Sequence, residues 1–372
     1  MSEAPPQSAP ICVYGATGYT GRLVAAELHR RGADVVLAGR SAAKLEIVAE
    51  DCGAPPTHVV SLDDARGLHE LLEPCAAVIA CAGPFQRHGE PVLEAATQSA
   101  THYLDTTGEQ SFMRVVFDRY GPMAERSGIA LVTAMGFDYA PGDMIASLTA
   151  AGMGSLDEVV LAYATRGFGA SRGTALSALG ILAGGDREWR EGRLVAAPRG
   201  VGSGRFDFPD PVGSQRMVRF PAGEHVTVPR HVDTAGVRTM MTASAVMPHP
   251  SLGVVAPLGM PALQLAARTP LRGVLAAAIS RLPDGPDEED RRRSRFTVVC
   301  EARRADLVRR AVVTGSDVYG LTARTVVEGA LRCATPGFER AGALAPSQAF
   351  DPSDFLDSLR SAGVDYEVGT LP

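Results

Sequence analysis

The stretch ICVYGATGYTGRLVAAEL, residues 11–28, decides the fold of this chain. Its first four residues are apolar, as in a short buried strand, and the residues after Gly18 have the composition of a helix. Between them, glycines at positions 15, 18 and 21 form a GxxGxxG pattern. A glycine-rich turn from a strand into a helix brings backbone N–H groups and the helix dipole to a phosphate. The stretch therefore predicts a pyrophosphate-binding turn in a Rossmann-type domain.

Each glycine of this turn has its own predicted role. Gly15 allows the tight turn after the strand, Gly18 lets the backbone approach a pyrophosphate, and Gly21 lets the helix pack closely on the sheet. The alternative is a purely structural glycine turn. The predicted phosphate-binding residues, with two threonine hydroxyls as added donors, are Gly15, Thr17, Gly18, Tyr19, Thr20 and Gly21.

The end of the second predicted strand indicates which nucleotide binds. A carboxylate there would bind a ribose 2′-hydroxyl and select NAD. The strand instead ends in Leu37-Ala38-Gly39-Arg40, with Ser41 and Lys44 following. A guanidinium at Arg40 suits a 2′-phosphate, and Lys44, the only lysine of the chain, lies one helical turn further on. The sequence predicts NADP(H); the alternative is a solvated Arg40.

The alternation of strands and helices predicts the fold class. In the first third of the chain, predicted strands cover residues 11–14, 34–38, 58–62, 76–82, 101–105 and 129–133, with helices between them. This order predicts a doubly wound parallel sheet. Beyond Gly136, longer strands are expected at 158–164, 216–220, 238–246 and 295–304. We therefore predict an α/β chain: an N-terminal doubly wound Rossmann domain plus a C-terminal α+β domain with a mostly antiparallel sheet.

Composition narrows the function classes. The net charge of −6 argues against a nucleic-acid partner. Six cysteines show no metal-ligand spacing, so we expect no metal site and reduced thiols in the cytoplasm, with no signal peptide at the N-terminus. The apolar stretch 252–282 is broken by Pro257, Pro261 and Pro270, which disfavours a membrane span. A core helix or an interface helix in a homodimer is expected there instead.

The fourth predicted strand runs into Cys81-Ala82-Gly83-Pro84-Phe85. The carboxyl end of a parallel strand borders the crevice where ligands bind. We therefore expect Ala82, Gly83, Pro84 and Phe85 to pass the nicotinamide ribose. Phe85 packs either on the cofactor or on the neighbouring loop, and the sequence leaves both open.

Three residues are candidates for acid–base chemistry. Asp105 ends the fifth strand, Tyr139 lies near the expected domain boundary, and His88 is expected in the loop after Phe85. Asp105 and His88 each have an alternative: Asp105 hydrogen-bonds the following turn, and His88 stabilises its loop. Tyr139 is the preferred proton donor to the substrate. Lysine chemistry is excluded apart from Lys44, and no Tyr-x-x-x-Lys pair is present.

Several segments resemble the saccharopine-dehydrogenase-like oxidoreductases, nearest the branch with the trans-acting enoyl reductases. They are GATGYTGR (15–22), CAGPF (81–85), HYLDTTGEQSF (102–112), GFDYAPGD (136–143) and RGTALSAL (172–179). Tyr139-Ala140 and Gly142 depart from the branch pattern GFDSxPSD, and Arg172 departs from GGTxxS. The resemblance implies an NADP-binding Rossmann domain and a C-terminal α/β domain. The expected division is a disordered 1–10, a Rossmann domain 11–136, a substrate and oligomerisation domain 137–334, and a tail 335–372 returning to the first domain.

Three functions follow, in order of preference. The first is NADPH-dependent hydride transfer to a conjugated C=C bond of a small or carrier-linked metabolite. The second is reduction of an imine, for which Arg166 and Arg172 could bind a substrate carboxylate. The third is a non-catalytic, regulatory NADPH-binding protein, because fold alone does not determine function.

Overall fold

The computed structural model describes residues 9–183, 187–198, 203–246, 267 and 269–370. Residues 1–8 of the expected disordered N-terminus, and 252–266 and 268 of the apolar stretch, lie outside the described residues. The chain divides into two compact units. The first comprises Met1–Thr107, Phe112–Gly136 and Thr322–Leu344. The second comprises Gly108–Ser111, Phe137–Leu321 and Ala345–Pro372.

The described strands, numbered along the chain, are β1 (Ile11–Tyr14), β2 (Val35–Gly39), β3 (Thr57–Val59), β4 (Ala77–Ala80), β5 (His102–Asp105), β6 (Ala130–Val132), β7 (Glu158–Arg166), β8 (Arg187–Arg190), β9 (Arg193–Ala196), β10 (Ser203–Asp207), β11 (Ser214–Arg219), β12 (Val237–Thr242), β13 (Arg295–Arg304), β14 (Leu307–Ser316), β15 (Gly342–Leu344) and β16 (Asp365–Thr370).

The described α-helices are α1 (Tyr19–Arg30), α2 (Ala42–Asp51), α3 (Ala65–Leu72), α4 (Phe85–Gln98), α5 (Gln110–Val115), α6 (Gly121–Ser127), α7 (Ala140–Ala150), α8 (Arg172–Ala183), α9 (Glu224–Thr227), α10 (Ala243–Val246), α11 (Leu271–Ile279), α12 (Glu288–Arg293), α13 (Val318–Cys333), α14 (Pro346–Ala349) and α15 (Pro352–Ser358). A π-helical segment (Val116–Tyr120) links α5 to α6, and short 3-10 turns cover Val228–Arg230 and Arg360–Ala362.

The first unit contains a seven-stranded parallel sheet in the order β15-β6-β5-β4-β1-β2-β3. Strand β1 lies between β2 and β4, so the strand order reverses on either side of it. All four residues of β1 are buried, as its apolar sequence predicts. Helix α1 buries Val24, Ala25 and Leu28, which share one helical face. This arrangement confirms the predicted doubly wound Rossmann fold.

The second unit contains a seven-stranded sheet in the order β10-β11-β12-β7-β13-β14-β16. Only the β12–β7 pairing is parallel among its described pairs. The sheet buries Val159 to Ala164 of the central strand β7, and helix α7, which is almost wholly buried, packs against β13 and β14. The predicted α+β domain with a mostly antiparallel sheet is confirmed.

Some element boundaries differ from those expected. Strand β12 ends at Thr242, and residues 243–246 are helical where a strand was predicted. Strand β14 was not predicted, because Arg309 and Arg310 interrupt its apolar alternation. At the C-terminus, β15 pairs with β6 of the first unit, whereas β16 pairs with β14 of the second. The segment 345–370 therefore lies in the second unit, where a tail returning to the first domain was expected.

Helix α11 is the described part of the apolar stretch 252–282. None of its residues is buried, and Leu271 and Val274 are 57% and 66% exposed. A core helix was one expectation for this stretch, but the described part is not buried as a core helix would be. A role at an interface stays a prediction. No described helix is both long enough and apolar enough to cross a lipid bilayer.

Candidate functional site

The glycine turn after β1 is tightly folded. Gly15 has a φ of +84°, and a Cβ there would lie 2.9 Å from the backbone nitrogen of Ala82. The turn after β1 and the turn after β4 thus approach at backbone distance, which only glycine permits at this φ. The Gly15 carbonyl oxygen accepts the N–H of Gly18 at 3.0 Å, and the Arg22 guanidinium donates to the Thr17 carbonyl oxygen at 3.1 Å.

Helix α1 begins directly at this turn. Gly18 is its extended N-cap residue, and a Cβ at Gly21 would collide with the Gly15 carbonyl group. Gly18 is exposed and its Cβ position meets only the Gly15 oxygen, at 3.3 Å. The first turn of α1 contains no acidic side chain, so the positive end of the helix dipole is not neutralised. These residues fit the pyrophosphate of a dinucleotide.

Two cations lie at the carboxyl end of β2. Arg40 follows the strand directly and Lys44 lies in the first turn of α2; both are exposed. Neither forms a hydrogen bond or ion pair with another described residue. Ser41, the N-cap of α2, makes no capping hydrogen bond through its side chain. The structure therefore brings the predicted 2′-phosphate residues together at one exposed edge.

The turn after β4 differs in part from its prediction. Ala82, Gly83 and Pro84 lie beside the Gly15 turn, as expected for a ligand crevice. Phe85, however, is 5% exposed and packs on Phe112 with ring centroids 5.6 Å apart. Of the two predicted roles of Phe85, packing within the protein is the one observed.

Helix α4 begins earlier than the sequence indicates. It starts at Phe85, where a helix from Val92 was expected, and continues through Pro91. His88 therefore lies in the first turn of this helix, where a loop position was predicted. Its side chain is partly buried.

Asp105 lies at the carboxyl end of β5 and is fully buried. Its Oδ1 accepts the N–H groups of Thr107 (2.9 Å) and Ala134 (3.1 Å) and the hydroxyl of Thr133 (3.0 Å). Burial raises the pKa of Asp105 to about 6, against the opposing effect of these donors. The bonds join the loops after β5 and β6, which matches the turn-stabilising alternative for this residue.

Tyr139 lies directly before α7 and is 1% exposed. Its hydroxyl donates to the Gly108 carbonyl oxygen at 3.3 Å, and its ring packs on Phe220 at 6.2 Å. In the second unit taken by itself, the phenol is therefore a buried hydrogen-bond donor. Its predicted role as a proton donor to substrate stays a prediction.

A buried acidic pair near Tyr139 was missed by the sequence reasoning. The Tyr163 hydroxyl of β7 donates to Oε1 of Glu224 on α9, and Glu224 is fully buried. Burial raises the pKa of Glu224 to about 8, with Asp138 and Asp143 as smaller contributors. The sequence carries one sign of this pair, Gly142, where the enoyl reductase branch pattern GFDSxPSD has a serine. A Cβ at position 142 would collide with the Tyr163 hydroxyl, so this position excludes the serine.

A second buried pair holds α7 to the C-terminal segment. His231 Nε2 lies 2.8 Å from Asp143 Oδ1, and the Ser347 N–H donates to Oδ2 at 2.9 Å. His231 lowers the pKa of the buried Asp143 carboxyl against the effect of desolvation. The described residues contain no cluster of metal-ligating side chains.

The parallel sheet, the glycine turn and the cationic edge together define a class, the dinucleotide-binding Rossmann proteins. Residues 11–135 match the family described as the saccharopine dehydrogenase NADP-binding domain. This part of the chain is similar to that family, and the match indicates NADP(H) as the cofactor.

Curated relatives match a similar length of the chain. A trans-acting enoyl reductase of Mycobacterium tuberculosis is 37% identical over 142 residues, which is 36% of this chain and 34% of that protein. A trans-acting enoyl reductase of Mycobacterium ulcerans is 34% identical over 140 residues, with the same two shares. The chain thus matches about a third of the length of these relatives.

A solved structure is similar over nearly the whole chain. The apo, histidine-tagged saccharopine dehydrogenase (L-Glu forming) from Saccharomyces cerevisiae covers 97% of this chain, and 99% of that chain is covered, with a TM-score of 0.62. Sequence identity is 14%. The similarity establishes a shared fold and does not by itself indicate a shared substrate.

Proposed function

We propose that the protein is an NADPH-dependent reductase that transfers hydride to a conjugated C=C bond of a carrier-linked or small acyl substrate. The observation that carries this proposal is the glycine turn with its cationic edge, in a domain that matches the NADP-binding family. The names of the curated relatives favour the enoyl type. All six cysteines are free thiols, which supports a reducing cytoplasm as the proposed location.

The chain's own residues do the binding in this proposal. The first turn of α1 holds the pyrophosphate, and Arg40 with Lys44 binds the 2′-phosphate at the exposed edge. NADPH bound there supplies the hydride, while the protein positions it and excludes water. The Gly15 turn fixes the backbone beside Ala82, so the cofactor meets a preformed surface.

The activity test follows NADPH consumption with an α,β-unsaturated acyl thioester as substrate. NADPH deuterated at nicotinamide C4 is expected to place its deuterium on the β-carbon of the saturated product. Consumption with an imine formed from an amino acid and an oxo acid, and none with the thioester, would favour the imine alternative. Intact NADPH binding without turnover of enones, imines or ketones would favour the regulatory alternative.

The cofactor assignment has a separate test. Arg40→Ala removes one guanidinium from an exposed edge, and we expect about tenfold weaker NADPH binding with unchanged NADH binding. Arg66→Ala on α3, which removes another exposed guanidinium, is the matched control and leaves both affinities unchanged. Equal NADPH affinity in the wild type and Arg40→Ala would refute the role of Arg40.

A further inference from the structure

Two arginines of the second unit lie directly opposite each other where β7 ends and β13 begins. The antiparallel register of these strands places Arg166 opposite Arg295. Directly opposite residues project from the same face of a sheet, and like charges at such positions disfavour the pairing. The other end of the same two strands is complementary, because Glu158 lies opposite Arg303 with 3.7 Å between Oε2 and Nη1. The Arg166–Arg295 pair is therefore an unfavourable contact within an otherwise favourable pairing.

Neither of these arginines has a carboxylate partner among the described residues. Arg166 is exposed and forms no hydrogen bond or ion pair with any of them. Nη1 of Arg295 donates to the Arg292 carbonyl oxygen at 2.7 Å, which orients the guanidinium without neutralising it. In contrast, Arg172, the other arginine considered for an anionic substrate group, is paired with Asp284 at 2.5 Å. The charge of Arg166 and Arg295 is thus available to an anion from outside the unit.

The end of α12 adds two further guanidinium groups at this place. A Cβ at Gly167, directly after Arg166, would lie 3.6 Å from Ser294 Cα and 3.8 Å from the Arg293 carbonyl oxygen. The turn after β7 therefore contacts the end of α12. A cavity of about 350 Å³ beside this contact is lined by charged side chains: Glu288, Glu289, Arg292, Arg293 and Arg295.

The cavity has an excess of positive charge. Each of its glutamates pairs with the arginine four positions later on α12, and these four side chains are at least 63% exposed. Exposed ion pairs of this kind contribute little stability, so the two arginines remain able to bind another anion. With Arg166 included, four arginines stand against two glutamates, which leaves two positive charges in excess. This balance suits a phosphate group.

We propose that an arginine cluster, defined as Arg166, Arg292, Arg293 and Arg295, binds the phosphate of a phosphopantetheine arm that carries the acyl substrate. The choice of ligand rests on the function proposed above, in which the reduced group is an acyl thioester. Guanidinium groups donate paired hydrogen bonds to phosphate oxygens, and two of them on opposite strand positions can hold one phosphate from two sides. The same arm occurs in coenzyme A and on carrier proteins, so both sources share this chemistry.

Binding is tested first, without cofactor and without turnover. Titration calorimetry on the full chain compares phosphopantetheine with pantetheine, which lacks only the phosphate. We expect the phosphorylated arm to bind about tenfold more tightly, and Arg166→Gln to lose this preference. The preference is also expected to decrease as the salt concentration rises, because the charges of exposed guanidiniums are screened.

The matched control is Arg216→Gln. Arg216 is also an exposed arginine of the second unit, lies opposite another arginine, Arg205 on β10, and has no partner among the described residues. This variant is expected to keep the preference for the phosphorylated arm. Equal binding of the two arms by the wild type, no binding of phosphopantetheine, or equal losses in Arg166→Gln and Arg216→Gln would overturn the proposal. Unchanged urea unfolding shows that Arg166→Gln is folded.

Kinetics then separates the two sources of the arm. NADPH oxidation is followed with one unsaturated acyl group attached to pantetheine, to coenzyme A or to a phosphopantetheinylated carrier protein. We expect Arg166→Gln to raise KM about tenfold for phosphorylated thioesters with kcat unchanged, because the phosphate is held equally in the ground state and the transition state. A rise confined to coenzyme A or to the carrier protein identifies that source, and an equal rise assigns both. A rise for the pantetheine thioester as well would contradict phosphate binding.

The outcomes keep this inference apart from the proposed function. If the wild type reduces the thioesters and Arg166→Gln changes no KM, the phosphate site is wrong and the proposed function stands. If the wild type reduces no thioester, the proposed function is wrong, and the calorimetric comparison decides the phosphate site by itself.

Discussion

Replacing Glu224 by glutamine is expected to change how the stability of the second unit depends on pH. The folded protein keeps the Glu224 proton up to about pH 8, whereas the unfolded chain releases it near the ordinary value of 4.5. Unfolding between these pH values therefore releases a proton, so the wild type loses stability as the pH rises through this window. Above this pH window, Glu224 is ionised in both the folded and the unfolded protein, and the stability stops changing with the ionisation of this group.

The magnitude follows from the width of that window. At about 1.4 kcal/mol per pH unit, a rise from 4.5 to about 8 corresponds to roughly 5 kcal/mol, which is a ceiling for this fully buried group. Glutamine carries no charge at any pH and lacks this loss. The glutamine NH2 group takes the place of Oε2, which has no hydrogen-bond partner among the described residues. Burying this unpaired donor lowers the free energy of unfolding by about 1–3 kcal/mol at every pH.

The assay is urea unfolding at a series of pH values, followed by tryptophan fluorescence. Trp189 is the only tryptophan of the chain and lies in the same unit, with its indole N–H donating to the Thr234 carbonyl oxygen at 2.8 Å. The unfolding free energy of the wild type minus that of Glu224→Gln is expected to decrease steadily from acidic to alkaline pH. Glu46→Gln, at an exposed position of α2, is the control and keeps a constant difference. A constant difference for Glu224→Gln as well would refute the reasoning.

Three further substitutions have defined outcomes. Gly142→Ala places a Cβ 2.5 Å from Glu224 Oε1 and in collision with Tyr163, so we expect a loss of about 1–3 kcal/mol in urea unfolding. Gly15→Ala forces a side chain to a φ of +84° and is expected to abolish NADPH binding in calorimetry, whereas a melting curve shows that the fold persists. His231→Ala removes the hydrogen-bond partner of Asp143 Oδ1 and leaves this carboxylate buried, so we expect a loss of about 1–3 kcal/mol at neutral pH. Because the pKa of Asp143 is lowered in the folded state, this loss shrinks as the pH falls through that lowered pKa; a pH-independent loss would contradict the stabilisation of the Asp143 carboxylate by His231.

The first unit could be predicted well because its signals are local. Strand β1 has the predicted bounds, and the glycine turn, α1 and β2 follow within a residue or two. The start of α4 was missed because Pro91 indicates a helix boundary. The helix tolerates Pro91 because the carbonyl oxygen left without a donor belongs to Arg87, which lies at the surface where water can bind it.

The acidic cluster of the second unit could not be predicted in the same way. Tyr163 lies in an apolar strand and Glu224 in a short helix, and 61 positions of sequence separate them. Their hydrogen bond and the shifted pKa of Glu224 arise only when the fold buries both side chains.

The single lysine offers a practical use. Lys44 is exposed in the first turn of α2 and carries the only ε-amine of the sequence, beside Arg40 at the predicted 2′-phosphate edge. An amine-reactive reagent would therefore modify one side chain, Lys44, and the modified peptide can be told apart from one acylated at the α-amine by mass spectrometry. Protection of Lys44 from acylation by NADPH, but not by NADH, would map the 2′-phosphate end of the site without any mutation.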